Sequence, residues 1–349
     1  MQGIKELVEI IKRGQPDVST DEITVWAEYL QQLEGCHLLS ASSPDIDKEA
    51  WLLQRKIGIG GSEIAALIEE NKWTSPRQIW MSKMGMFDDA PKQQSEPARW
   101  GNLLETTVAT EWGIRNNRKW IHIPVILQDN EIPWLLANID GFTLSDDGKT
   151  ITGILEIKTT SAYNQTYWED GPLPYNYICQ TMWYCGITRL REIELVCLVG
   201  GQRLFSHSLP FDEELFIREK EEAKHFWEEY VLKGVEPPAT AADKEITKND
   251  EHDESLPPIY LEDDESERLV EAYCQIRDQL SGLEKIKKAL YAQIFVLLGR
   301  STQGLTQSHT INLGTSARQS CNFDKLKELY PEAYNQCVVT NVTNSLRIK

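Results

Sequence analysis

The chain has 349 residues, 41% of them hydrophobic, with 11 Trp and a formal net charge of −18. That is enough for one large domain or two ordinary ones around a substantial core, and no run of 18 or more apolar residues marks a membrane span. Seven cysteines, at 36, 179, 185, 197, 274, 321 and 337, include no C-x-x-C pair, which speaks against a disulfide framework and against zinc or iron–sulfur ligation.

The acidity is uneven. Residues 211–271 hold 21 acidic against 7 basic side chains, whereas residues 51–125 hold 8 acidic against 10 basic. A locally basic groove for nucleic acid is therefore compatible with the global charge.

The opening stretch MQGIKELVEIIKRG carries charges within an apolar stripe and has no cleavage pattern, so it is read as a helix and not as a signal peptide. A cytoplasmic protein is expected. Ser19 with Glu22 forms a capping box for a second helix that ends at Gly35, and residues 1–50 read as a helical segment packed on the main domain. A helix over 45–55 follows, then RKIGIGGS, then a helix from Ile64. Gly61-Ser62 thus opens a helix whose free amides suit an anion, although an ordinary N-cap reads the same way. A helix from Ser75-Pro76 precedes Pro97–Trp112, another helix, with Leu104, Val108 and Trp112 on one face and Glu105 beside them.

Strands are expected over 121–127 and 133–140. The stretch ANIDGFTLSDDGKTITGILEIK reads as a strand ending near Asp140, a turn, and a strand carrying Glu156 and Lys158. Alternation puts Glu156 and Lys158 on one strand face and Leu155 and Ile157 on the other. Taken alone, an Asp, a Glu and a Lys on a half-exposed hairpin form a solvated face. Tyr177–Gly186 is a helix holding Gln180 among apolar neighbours; Glu192–Val199 and Arg203–Pro210 are strands, and Leu215–Val231 is an acidic helix. Residues 234–258 read as a Pro-rich acidic linker. The remainder, 259–349, reads as one long helix or helical pair over 265–298, whose near-heptad apolar stripe suits a partner helix of its own chain, the default, or a neighbouring subunit, then a hairpin over 304–320 and a short helix over 323–334.

Four features stand in order: Glu105 after Trp100-Gly101, Asp140 in NIDG, Glu156 and Lys158 in LEIK, and Gln180 in the next helix, with Arg55 and Ser62 upstream. This arrangement resembles the PD-(D/E)XK nucleases, and most closely the lambda-type exonuclease branch represented by the YqaJ-like viral recombinases. The resemblance covers roughly 55–199 and extends to the tail, with its long helix, hairpin and closing LRIK. It implies an α/β restriction-endonuclease-like core over 51–233, a mixed central sheet flanked by helices.

It implies metal-binding acids at Asp140 and Glu156 with the carbonyl of Ile157, a catalytic lysine at Lys158, a helix acid at Glu105 and a helix glutamine at Gln180. Arg55, Ser62 and Gly61 would contact phosphate. The family's Pro before the Asp is Ile139 here, a position without chemistry. The implied activity is Mg²⁺-dependent (or Mn²⁺-dependent) hydrolysis of linear duplex DNA, 5′ to 3′, leaving a 3′ single strand for recombination. A viral or prophage setting in a bacterial host, a single-strand annealing partner and a ring-shaped homotrimer follow from the same likeness.

The chemistry is consistent with those residue types. Hard oxygen ligands suit Mg²⁺ or Mn²⁺ rather than zinc, and phosphodiester hydrolysis needs an activated water and neutralised charge. Three rivals remain: a RecB-like nuclease of the same superfamily, a catalytically idle DNA-end or protein-binding module on the same scaffold, and an acidic interaction protein working through 211–271. Trp73, Trp80 and Tyr163 could stack on bases, with core packing the default for each.

Overall fold

The structure, a computed structural model, describes residues 4–14, 18–40, 48–68, 70–71, 74–86, 95–243, 256–261, 263–314 and 321–339. The chain divides into two compact units, residues 1–244 and 245–349.

The first unit begins with α1 (Ile4–Gly14) and α2 (Thr20–Gln31). Leu7, Ile11, Ile23, Trp26 and Leu30 are buried in the main core. The Ser19 hydroxyl accepts from the Glu22 amide as the capping box requires. The next element, β1 (Cys36–Ser40), is a strand where only helix was expected. Tertiary pairing creates it. Gly35 leaves room for the Ile187 carbonyl, which an added Cβ would meet at 2.2 Å, and β1 then pairs antiparallel with β4.

Then come α3 (Lys48–Lys56), β2 (Ile59–Gly60), α4 (Gly61–Leu67), α5 (Pro76–Lys83) and the long α6 (Glu96–Asn116). The single strand expected over 121–127 is two, β3 (Trp120–Ile121) and β4 (Ile126–Asp129), in different sheets. β5 (Leu135–Ala137) is short, and β6 (Gly141–Leu144) starts only after Asp140. Asp140 therefore opens a strand and does not close one. The cause is the sheet partition: β5 belongs to the four-stranded sheet β1-β4-β5-β2, and the chain crosses at Asn138–Asp140 into the five-stranded sheet β3-β6-β7-β8-β9.

That larger sheet continues with β7 (Ile151–Thr160), reached through a tight turn at Ser145–Gly148. Helices α7 (Gln165–Glu169) and α8 (Tyr175–Thr188) then carry the chain to β8 (Glu192–Val199), which pairs parallel with β7, and to β9 (Arg203–Leu209), antiparallel at the edge. The sheet is mixed and flanked by helices, the fold class that the resemblance implied. On one face Leu155, Ile157 and Val196 pack on Val108, Ala109 and Trp112 of α6. On the other, Ile154 and Ile193 join Met182 and Trp183 of α8 in the main core. α9 (Glu213–Phe226) and a single π turn over Trp227–Val231 complete the helical layer.

Residues 234–243, read from sequence as the start of a linker, belong to this unit. Asp243 is buried and accepts from the Ser75 hydroxyl; residues 244–255 lie outside the described residues.

In the second unit, α10 (Asp264–Leu298) is one continuous helix of 35 residues with no buried side chain, the first of the two forms expected. It is followed by the hairpin β10 (Gln303–Leu305) and β11 (Thr310–Asn312). The helix expected over 323–334 is two, α11 (Phe323–Leu329) and α12 (Pro331–Cys337). Pro331 cannot donate an amide to α11, so a new helix begins there. The final LRIK lies outside the described residues.

Candidate active site

The site is built on the central strand. β7 alternates as its sequence requires: Leu155 and Ile157 pack against α6, while Glu156, fully buried, and Lys158, partly buried, take the opposite face. The Lys158 ammonium pairs with Glu156 Oε1 and lies 5.1 Å from the Tyr177 ring centroid.

The β6–β7 ladder stops at Gly141 opposite Leu155. Beyond it the Asp140 side chain takes over, its Oδ2 accepting from the Ile157 amide at 2.9 Å. The Asp140 carbonyl accepts from Nδ1 of His122 at 2.7 Å. Both bonds fix the aspartate against the strand that carries Glu156 and Lys158.

The electrostatics ask for positive charge. Glu156 Oε2 is buried without a hydrogen-bond partner. Burial first, and then the Asp140 carboxylate, push the Glu156 carboxyl up to about 8. Burial opposes the Lys158 ammonium, yet Glu156 and Asp140 together outweigh it and raise its pKa above the ordinary lysine value. Lys158 is thus held as a cation at neutral pH, and Glu156 still has an unsatisfied oxygen. A divalent cation fits that gap better than a second ammonium, because it could satisfy both carboxylates at once. Among the described residues no three His, Cys, Asp or Glu side chains cluster closely enough to hold a metal. The Asp140–Glu156 pair would need oxygen donors of another kind, such as a backbone carbonyl and water.

Two clefts meet at Asp140. One is lined by Glu105, Gly101 and Asn102 of α6 together with Asp140, Ile157 and Lys158. The other, about 140 Å³, is lined by Trp51, Arg55, Gly61, Ser62, Gln180 and Tyr184 as well as Asp140. In the second cleft an Arg55 guanidinium nitrogen donates to Ser62 Oγ at 2.7 Å, and the guanidinium lies 4.6 Å from the Trp51 ring centroid. Gly61 is required for the close approach of α4 to α8: a Cβ there would meet the Tyr184 ring at 2.5 Å. Gln180 Nε2 donates to the Tyr184 hydroxyl at 3.0 Å. Burial, Glu156 and Asp140 all push the Tyr184 phenol above its ordinary pKa, so it stays protonated.

A buried lysine braces this cleft from behind. Lys83 donates to the Arg55 carbonyl at 2.9 Å and to Glu63 Oε1 at 2.7 Å, while Glu63 Oε2 accepts from the Gly60 amide at 2.9 Å. Burial pulls the Lys83 pKa down, and Glu63 counters it.

Of the sequence-derived site residues, Asp140, Ile157, Lys158 and Glu105 line the first cleft and Arg55, Gly61, Ser62 and Gln180 the second, while Glu156 lines neither and is buried behind them, joined to Lys158. Sequence reasoning missed Trp51, His122 and Tyr184. Trp51 is four residues before Arg55 and Tyr184 four after Gln180, so helical spacing could have found both; nothing local marks His122. Of the proposed stacking aromatics, Trp80 is core, its indole donating to the Tyr230 carbonyl. Tyr163 is 95% exposed, against the expectation of core packing. Trp73 lies outside the described residues.

A family model described as the YqaJ-like viral recombinase domain matches residues 50–191. The uncharacterized protein YqaJ of Bacillus subtilis (strain 168) is 31% identical over 301 residues, 85% of this chain and 92% of that protein. Among solved structures, the alkaline exonuclease LHK-Exo from Laribacter hongkongensis is 17% identical, with 53% of this chain and 93% of that one covered at a TM-score of 0.43. A phage related exonuclease from Haemophilus somnus 129PT is 13% identical, with 50% and 94% covered at 0.38. The matched segment spans both clefts, and the likeness to the Bacillus protein covers more than twice its length: this chain belongs to the YqaJ-like viral recombinase family.

Proposed function

We propose that the protein is a metal-dependent deoxyribonuclease that digests linear duplex DNA from its 5′ ends and leaves a 3′ single strand. The observation that carries this reading is the buried, partnerless Glu156 Oε2 held against Lys158, which with Asp140 lines a cleft adjoining the Arg55–Ser62 pocket. Family membership as a viral recombinase supports DNA as the substrate, and the 3′ strand would pass to a single-strand annealing protein.

Asp140 and Glu156, with the Ile157 carbonyl, would hold Mg²⁺, and Glu105 across the cleft would reach it through water. When bound, that ion supplies positive charge to the scissile phosphate and acidifies a nearby water. The chain's own groups do the rest. Lys158, held cationic, donates to the attacking water or to a phosphate oxygen and offsets the charge that grows in the transition state. Gln180, oriented by Tyr184, presents its carboxamide oxygen to the same water. Arg55 and Ser62 hold the terminal 5′ phosphate through charge-assisted bonds.

The test is digestion of linear duplex with 5′-phosphate or 5′-hydroxyl ends, in Mg²⁺ or EDTA, by wild type and Lys158→Ala. Loss of the 5′-labelled strand that needs metal and disappears in the variant is the expected outcome. Binding of duplex ends without digestion would replace this reading with an idle end-binding module, and absence of any binding at low salt would remove both.

A further inference from the structure

One face of α8 carries Tyr177, Gln180 and Tyr184, spaced by three and then four residues, so that helical geometry turns all three toward the same side. Gln180 and Tyr184 line the cleft that holds Arg55 and Ser62, whereas Tyr177, one turn earlier, lines neither cleft. Its ring lies instead beneath Lys158, with the ammonium 5.1 Å from the ring centroid. That is inside the roughly 6 Å over which the negative face of an aromatic ring attracts a cation.

The ring is held from behind. Trp168, almost fully buried, lies 6.0 Å from it at 33°, and the Trp168 carbonyl accepts from Nε2 of His207 on β9 at 2.9 Å. Trp168 packs with Leu195 and Cys197 of β8, and Tyr177 packs on that cluster. Cys197 is the register partner of Lys158 across the parallel β7–β8 pair. Tyr177 therefore has a fixed place beside the strand position that carries the lysine.

Lys158 needs such a place. Its ammonium has three donors, and the one partner with a formal charge is Glu156. Under the function proposed above, the same carboxylate is shared with a divalent cation, which also repels the ammonium. A ring face offers Mg²⁺ no lone pair, so its hold on Lys158 does not compete with the ion. It also brings no charge of its own, so the lysine stays cationic and keeps a donor for the cleft that it lines.

We propose that Tyr177 is the positioning residue of Lys158: its ring face keeps the ammonium aimed into the cleft while Glu156 is shared with the metal. This inference rests on the function proposed above. The test replaces Tyr177 with Phe, with Leu, and with mono-, di- and trifluorophenylalanine, because fluorine withdraws charge from the ring face and leaves its shape nearly unchanged. One readout is kcat and KM on linear duplex in Mg²⁺. The other is the melting temperature in EDTA, measured for the Phe and fluorinated proteins with Lys158 present and again in Lys158→Met.

Tyr177→Phe should keep kcat within about twofold of wild type, and successive fluorines should lower it stepwise by about tenfold in all, with KM unchanged. In EDTA the fluorinated proteins should lose stability stepwise relative to the same series in Lys158→Met, where no cation faces the ring. A kcat that falls in Tyr177→Leu but stays level across the fluorinated series would overturn the positioning role and leave Tyr177 as packing. Melting series that run parallel in the two backgrounds would overturn the contact itself. A wild type that digests no duplex would overturn the proposed function and the positioning role with it; the EDTA series reads the Tyr177–Lys158 contact without turnover, so the two failures are told apart.

Discussion

The Asp140 carboxylate and the Ile157 amide, joined at 2.9 Å, make one side chain do the work of a strand. Where the β6–β7 ladder ends, Oδ2 continues it, and the same bond sets the carboxylate beside Glu156. Asp140→Asn keeps an oxygen for the Ile157 amide and removes the charge. The variant is expected to unfold within about 1 kcal/mol of wild type while digestion falls by about 100-fold or more. Thermal unfolding and 5′-label release on the same preparation check this; an Asn variant retaining a tenth of the activity would free the reaction from a charge at 140.

Metal affinity can be read without turnover. A ligand that binds only the native state adds about 2.7 kcal/mol at one hundred times its Kd. Mg²⁺ should therefore raise the wild-type melting temperature, and the rise should vanish in Glu156→Gln. In EDTA the Gln variant should melt at or below wild type, since it leaves the Lys158 ammonium without its carboxylate partner. Equal Mg²⁺ shifts in the two proteins would remove Glu156 from the ligands.

The Arg55 pocket should govern which ends are chosen. Loss of a charged hydrogen bond costs about 1.5–3 kcal/mol, so Arg55→Ala should reduce initiation on 5′-phosphate ends by roughly 10- to 100-fold and leave 5′-hydroxyl ends nearly unchanged. Competition between the two end types reads this directly, and an equal drop on both would assign Arg55 a scaffolding part only.

Another buried carboxylate, away from the clefts, makes stability depend on pH. Glu219 on α9 is fully buried, neither of its oxygens has a hydrogen-bond partner, and burial above all pushes its carboxyl up to about 9. A carboxyl whose folded pKa lies above its unfolded value stabilises the fold at low pH. That contribution is lost as pH rises from the ordinary 4.5 towards 9. Wild type should therefore lose stability from pH 6 to 8.5 more steeply than Glu219→Met, a replacement of similar volume. Each kcal/mol of that difference is worth about 2–4 °C at this chain length. Parallel melting curves for the two proteins would contradict it.

How much of this was legible in the sequence differs by element. The alternation of LEIK placed Leu155 and Ile157 against α6 and Glu156 with Lys158 opposite, because a strand's period is independent of its partners. The boundary at Asp140 was misread, since which sheet a short apolar run joins is decided by pairing with distant strands: β5 meets β2 and β4, whereas β6 meets β3 and β7. Cys36–Ser40 became a strand for the same reason. His122 could not be found at all, because its role depends on a carbonyl 18 residues away. Trp51 and Tyr184 could have been found from their spacing of four to Arg55 and Gln180.

Lys83 gives the proposed end-binding pocket a further property. One ammonium grips the carbonyl of Arg55 at the close of α3 and, through Glu63, the Gly60 amide at the opening of α4. The Ile57–Gly61 connection is thus clasped from both sides, and the Arg55 backbone is immobilised during folding, before any ligand arrives. The entropic cost of ordering the receptor is met in advance. Encounter with a DNA terminus then needs no rearrangement of this loop, which favours rapid capture and a pocket whose shape persists from one turnover to the next.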